Sequence, residues 1–257
     1  MSNFDPNYQP VRYGAGVDRA AEIDQGLRAY MIAVYNYMAM GVAATGVVAW
    51  FTFQAAGGEA IARGPRGFTG LTAFGQMVFS FPSLIVLFLA TLGLVLFINW
   101  RIDRISAATA LVLFTIFSAL FGVMMSSLFV QFTGVSIART FFITAATFGA
   151  LSLYGYTTQR DLSAFGTFLF MGLIGLLIAI VVNWFLRSPM IAFVISCAGV
   201  LIFAGLTAYD TQRIKEMYDV NDDGTATGRK AVMGAMTLYL DFINLFTFLL
   251  QLIGDRR

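Results

Sequence analysis

Histidine is absent from this chain of 257 residues, cysteine occurs once, and only 12% of the residues are charged. Without histidine the usual zinc ligands, every Ser-His or Cys-His nucleophile pair, and the side chain that normally titrates near neutrality are all missing. Any response to pH must come from carboxylates or other perturbed groups. The single Cys197 rules out an intramolecular disulfide, and its place in an apolar run fits a small packing residue better than a redox site. The formal net charge is +2 with no long block of one sign, which gives no reason to expect a nucleic-acid partner. A cleavable signal peptide is not expected either. The first 26 residues carry Asp5, Arg12, Asp18, Arg19, Glu22 and Asp24 and read as a polar tail.

What the chain has in excess is apolar surface. With 58% hydrophobic residues and a mean hydropathy of +0.77, it carries more than one soluble core can bury, and reads as an all-α integral membrane protein. A helix needs about 20 apolar residues to cross the hydrocarbon layer. Seven stretches qualify, at about Leu27 to Phe53, Val78 to Trp100, Ala107 to Gln131, Thr140 to Thr158, Phe165 to Leu186, Met190 to Tyr209 and Ala231 to Ile253. Residues 27–257 are therefore read as one seven-helix membrane domain after the tail of residues 1–26. Pro82 and Pro189 fall near segment starts, where a missing backbone donor costs little. Connections on the amino-terminal side hold ten Lys and Arg against six on the other side. That bias predicts a cytoplasmic amino terminus and an outward carboxyl terminus.

Only two acidic residues, Asp210 and Asp241, fall inside or at the edge of these segments. An ionised aspartate at a helix centre costs about 2.5 to 3.5 kcal/mol on insertion scales, so such residues usually face a polar interior and serve function. Asp210 follows a long apolar run and closes it in the stretch GLTAYDTQRIK. A headgroup-level charge is one reading. Against it, a helix ending there would hold an anion in its negative last turn, unfavourable by about 0.3 to 1 kcal/mol. The alternative carries the sixth helix through Arg213, Lys215 and Met217 to about Tyr218, with Asp210 inside it. Asp241 lies in LYLDFINLF with Asn244 on the same helical face; it is either satisfied by neighbouring helices or functional. Facing each other in a low-dielectric interior, the two could not both ionise cheaply and would titrate as a pair. Their depths argue against contact: Asp210 is about 16 Å from the centre of its segment, whereas Asp241 lies close to the centre of its own.

Two further patterns stand out. Tyr156-Thr157-Thr158-Gln159-Arg160 is echoed by Tyr209-Asp210-Thr211-Gln212-Arg213 after 53 residues, one helical hairpin later, which suggests a parallel repeat. It puts Thr157 where the later copy has Asp210, so Thr157, Tyr209 and Asn244 are candidates to support the aspartate pair. The loop DVNDDGTATGRK opens like an EF-hand with Asp219, Asn221 and Asp223, but its twelfth position, a bidentate glutamate in that motif, is Lys230. An ordinary Asx and glycine turn is expected, with a weak surface cation site as the alternative.

GLTAYDTQRIKE, LYLDFINLF and ATFGALSLYGYTTQRDLS, taken in order, resemble the signatures of the transmembrane Bax inhibitor motif family over about residues 27–253. The resemblance implies a bacterial inner-membrane protein whose seventh helix is central and wrapped by the other six. It further implies a pH-sensitive Ca²⁺ leak with Asp210 and Asp241 as sensor, and an arginine latch at the end of the second helix, for which Arg101 and then Arg104 are the candidates. Ca²⁺ would be a permeant ion; no cofactor is expected. The loop at 219–230 and the first outer loop are longer than in typical bacterial members.

Three functions follow as expectations. The first is a proton-gated cation leak. The second is a regulatory protein that binds and restrains a membrane protease or a stress or cell-death factor. The most remote is an intramembrane aspartyl protease, which the sequence disfavours because Tyr239 and Leu240, not Gly-x-Gly, precede Asp241. A non-enzymatic role is therefore expected. The seventh helix also has no interior lysine for a retinal Schiff base.

Overall fold

The computed structural model describes residues 14–64 and 67–257. The chain runs α1 (Gly14–Ala56), a short hairpin of β1 (Ala62–Gly64) and β2 (Gly67–Thr69), α2 (Ala73–Val78) and α3 (Phe81–Arg101). It continues through α4 (Ala107–Gln131), α5 (Gly134–Thr157), α6 (Ser163–Leu186), α7 (Pro189–Glu216) and α8 (Gly224–Ile253). Seven of these, all but α2, are long and apolar enough to cross a membrane. The protein is an integral membrane protein of seven helices, as the sequence predicts.

Helix starts follow local chemistry. Side chains of Ser80, Ser106, Thr133, Ser188 and Asp223 each accept from the backbone amide three residues on, which satisfies a donor that the helix itself leaves free. Several helices overrun the apolar stretches, because apolarity marks the buried part of a helix and not its ends. Thus α8 begins at Gly224 behind its Asp223 cap rather than at Ala231. Likewise α1 begins at Gly14 rather than Leu27, so part of the expected polar tail is helical; residues 1–13 lie outside the described residues. The long first loop folds into the β1–β2 hairpin and α2.

The most buried span is α8. It packs directly against α1, α4, α5 and α7, while α3 packs on α4 and α6 on α7 as an outer layer. The outer pair shows apolar side chains to lipid, including Leu96, Trp100, Phe168 and Trp184. In lipid the drive to bury α8 is close packing rather than water exclusion, and small residues permit it. A Cβ on Gly155 would collide with the Ala208 carbonyl, so glycine lets α5 and α7 approach closely.

Candidate functional site

Helix α7 carries Asp210 well inside its length, because it continues to Glu216 with Arg213 and Lys215 in its last turn. The continuation is held by the connection it passes. Gln212 accepts from the Leu162 amide and donates to the Arg160 carbonyl, both at 2.8 Å, and Lys215 Nζ donates to the Tyr156 carbonyl at 2.9 Å. That ammonium sits at the negative end of α5, where a cation is favourable. The two copies of the echoed motif therefore do different work. In the first the chain leaves its helix after Thr157; in the second it stays helical and grips the first.

Contacts along the α7–α8 seam fix the register. Ser196 Oγ donates to Gln251 Oε1 at 3.3 Å, Phe203 stacks on Phe248 with centroids 5.7 Å apart, and Gly234 faces Ile214. In this antiparallel register Asp210 is level with about Thr237, leaving Asp241 one turn further along, an offset of about 6 Å. Side chains on helices lean toward the amino-terminal end. On antiparallel neighbours Asp210 and Asp241 therefore lean toward each other across that offset, and their carboxyl groups come within hydrogen-bonding reach. The depth conflict seen in the sequence disappears because α8 extends well past the end of α7 at the loop end.

Asp241 is only 5% exposed, and among the described residues nothing donates to its Oδ2. Two ionised carboxylates offer only acceptors. A hydrogen bond between Asp210 and Asp241 thus requires that one of them hold a proton.

A cavity of about 650 Å³ opens beside the pair. It exists because α6 packs on α7 yet stands off from α8. Phe170 and Leu177 of α6 form its apolar wall, while Asp210, Arg213, Thr237, Asp241 and Asn244 supply the polar one. Tyr209 also lines it, its ring seated against Gly166, where any side chain would collide. Asn244 Nδ2 donates to the Leu240 carbonyl at 2.8 Å. Toward the other end of the seam the Phe203–Phe248 stack, with Phe248 lying over Gly199, separates this cavity from a polar pocket at Ser196 and Gln251.

Not every candidate joins the pair. Thr157 is exposed and donates to the Leu153 carbonyl at 2.8 Å; it sits at the end of α5, away from the cavity. Arg101 stacks over Trp100 at 5.4 Å, Arg104 is exposed, and neither forms an ion pair with the aspartates in this structure. The cation that acts on Asp210 is Arg213, three residues on and on the cavity rim. Sequence reasoning used Arg213 only as a helix-end charge, although its spacing already placed it on the face of Asp210. The loop candidates are engaged elsewhere: Asp219 Oδ1 accepts from the Asn221 amide and side chain, both at 2.9 Å, and Asp223 caps α8. That fold holds the Asp219 carboxyl below the usual carboxylate range through the hydrogen bonds from Asn221. Lys230 pairs with Asp222. No three acidic or cysteine side chains among the described residues come together as a metal site, and the loop forms a turn at Asp219 and a cap at Asp223.

Seven apolar helices around a buried aspartate pair define a polytopic membrane protein with an intramembrane acidic site. Residues 27–257 match the Bax1-I family, described as inhibitor of apoptosis-promoting Bax1, and the chain belongs to this Bax inhibitor family. It is 45% identical over 234 residues to inner membrane protein YbhL of Escherichia coli K12, covering 90% of this chain and 94% of that one. Protein RP147 of Rickettsia prowazekii is 44% identical, with 91% and 92% covered. A Caulobacter vibrioides protein is 40% identical over the full length of both.

Proposed function

We propose that this protein is a proton-gated cation leak of a bacterial inner membrane, with Asp210 and Asp241 as the gate. The observation that carries the reading is the buried Asp241 carboxyl, set against Asp210 in a partly polar cavity and short of a donor unless the pair holds a proton. With the shared proton, α7 and α8 are tied together and the seam stays shut at the Phe203–Phe248 stack. Loss of that proton puts two like charges side by side in a low-dielectric interior, which drives the helices apart. The freed carboxylates offer up to four oxygens to a passing Ca²⁺, and water completes the 6 to 8 ligands it normally takes. Because the closed state binds the proton more tightly, acid closes and alkali opens. The name of the E. coli relative and the excess of basic residues on the amino-terminal side support an inner-membrane location with that terminus in the cytoplasm. In this reading the pair breaks no bonds.

The test is Ca²⁺ flux into liposomes holding the purified protein across a pH series. Flux should rise with pH in the wild type and lose its pH dependence in Asp241→Asn. Unchanged flux and pH dependence in that variant would remove Asp241 from the gate. The family description favours a second reading, a protein that restrains another membrane protein. Absence of flux in pure liposomes, together with a partner retained from native membranes, would select it.

A further inference from the structure

At the end of the bundle away from the aspartates, the arginines are not all alike. Arg139 pairs with Asp255 at 3.1 Å, and Arg257 binds both oxygens of Glu59 at 2.8 and 2.9 Å. Arg187 and Arg256 instead line one polar cavity of about 360 Å³ between the α6–α7 turn and the end of α8. No carboxylate lines that cavity; its other polar walls include Asn183, Ser188, Ser196 and Gln251. Asn183 Oδ1 is taken by the Ser188 amide, and Gln251 Oε1 accepts from Ser196. Arg187 and Arg256, the latter with its guanidinium 5.9 Å from the Phe132 ring centroid, are the charged groups that line the space.

Backbone conformation adds a second observation. Arg187 is the one non-glycine among the described residues in the left-handed region, at φ 51°. It ends α6 at a position where glycine is the ordinary choice and a larger residue is strained. Beside it, Trp184 and Phe185 are 70% and 74% exposed, and Phe193 borders the cavity. Tryptophan gathers at headgroup depth, which is where Trp184 sets this end of α6.

We propose that Arg187 and Arg256 form a binding site for a phosphate oxyanion at this surface. Two planar, permanently charged donors without a carboxylate partner match phosphate oxygens. The aromatic rim places the site where phosphates of anionic lipids lie. This site stands on its own and does not depend on the leak reading.

Native mass spectrometry of the detergent-purified protein with phosphatidylglycerol or phosphatidylcholine provides the test. Phosphatidylglycerol retention on the wild type should fall about tenfold in R187Q/R256Q, equivalent to losing about one charge-assisted hydrogen bond. Retention should be unchanged in R139Q and partly recovered in R187K/R256K, with all variants eluting like the wild type. Inorganic phosphate at millimolar concentration separates the sources. Competition with phosphatidylglycerol means the site takes phosphate as such, and lack of competition means it takes the lipid headgroup. Equal retention in wild type and R187Q/R256Q, or equal retention of the two lipids, would overturn the proposal.

Discussion

Two residues apart on α8, Tyr239 and Asp241 face opposite sides of the same helix and meet opposite treatment. Toward α1 and α4, the Tyr239 hydroxyl donates to Thr45 Oγ1 at 2.7 Å, and Thr45 donates in turn to the Ser118 carbonyl at 2.9 Å. Its ring is enclosed edge-on by Phe114, Phe117 and Phe121, at 5.5, 5.8 and 6.3 Å. Gly122 lets α1 and α4 close on it, since a Cβ there would stand 2.7 Å from the Thr45 carbonyl. Toward α6, Asp241 meets a cavity, and one of its oxygens has no donor among the described residues. A filled and satisfied polar group is what a helix needs to stay put. An unfilled and unsatisfied one is retained against stability, and that contrast is the physical argument for function.

The sharpest way to break the comparison is truncation on the filled side. Tyr239→Ala empties a sealed aromatic site and takes away the donor to Thr45 Oγ1, so it should cost about 3 to 5 kcal/mol, read as a lower unfolding midpoint in detergent. Asp241→Leu should cost less than Tyr239→Ala in the same melts, because it puts an apolar side chain of similar size where one oxygen has no donor, although it also ends the contact with Asp210; the pH dependence of flux is lost. A Tyr239→Ala protein as stable as Asp241→Leu would erase the distinction between the two sides. Tyr239→Phe keeps the ring and removes only the hydroxyl; it should cost about 0.5 to 1.5 kcal/mol in the same melts and leave flux unchanged.

The smallest effect lies at the end of α8 that both sides share. Hydrogen bonds from Arg257 hold the Glu59 carboxyl below the usual glutamate range. The lowered value means the contact contributes fully above the ordinary glutamate pKa of about 4.3 and is lost as pH falls through the lower folded value. Amide exchange at residues 254–257 should therefore quicken only in acid. In Glu59→Gln it should be insensitive to pH after correction for the intrinsic exchange rate.

Much of this was legible in the residues. The central position of the last helix followed from the resemblance, and the extension of α7 through Arg213 followed from where charges can stand at a helix end. The aspartate contact was less legible. Hydropathy placed α8 from Ala231, and from that start the two carboxyls stand at different depths. Thr157 looked equivalent to Asp210 by repeat position, but α5 ends at Thr157, whereas α7 passes its own copy still helical. The α6 wall and the Phe203–Phe248 stack carry no chemical signature, because an apolar residue beside a cavity reads the same as one facing lipid.

Composition and period alone determined that this chain is seven membrane helices with two costly carboxyls, because hydrocarbon tolerates little else along a single segment. Only tertiary structure decided that those carboxyls meet, that α6 stands away from them, and that Arg213 rather than Arg101 is the cation nearby. Each of these depends on the axial register and spacing of helices distant in sequence, and close packing between whole side-chain surfaces sets both.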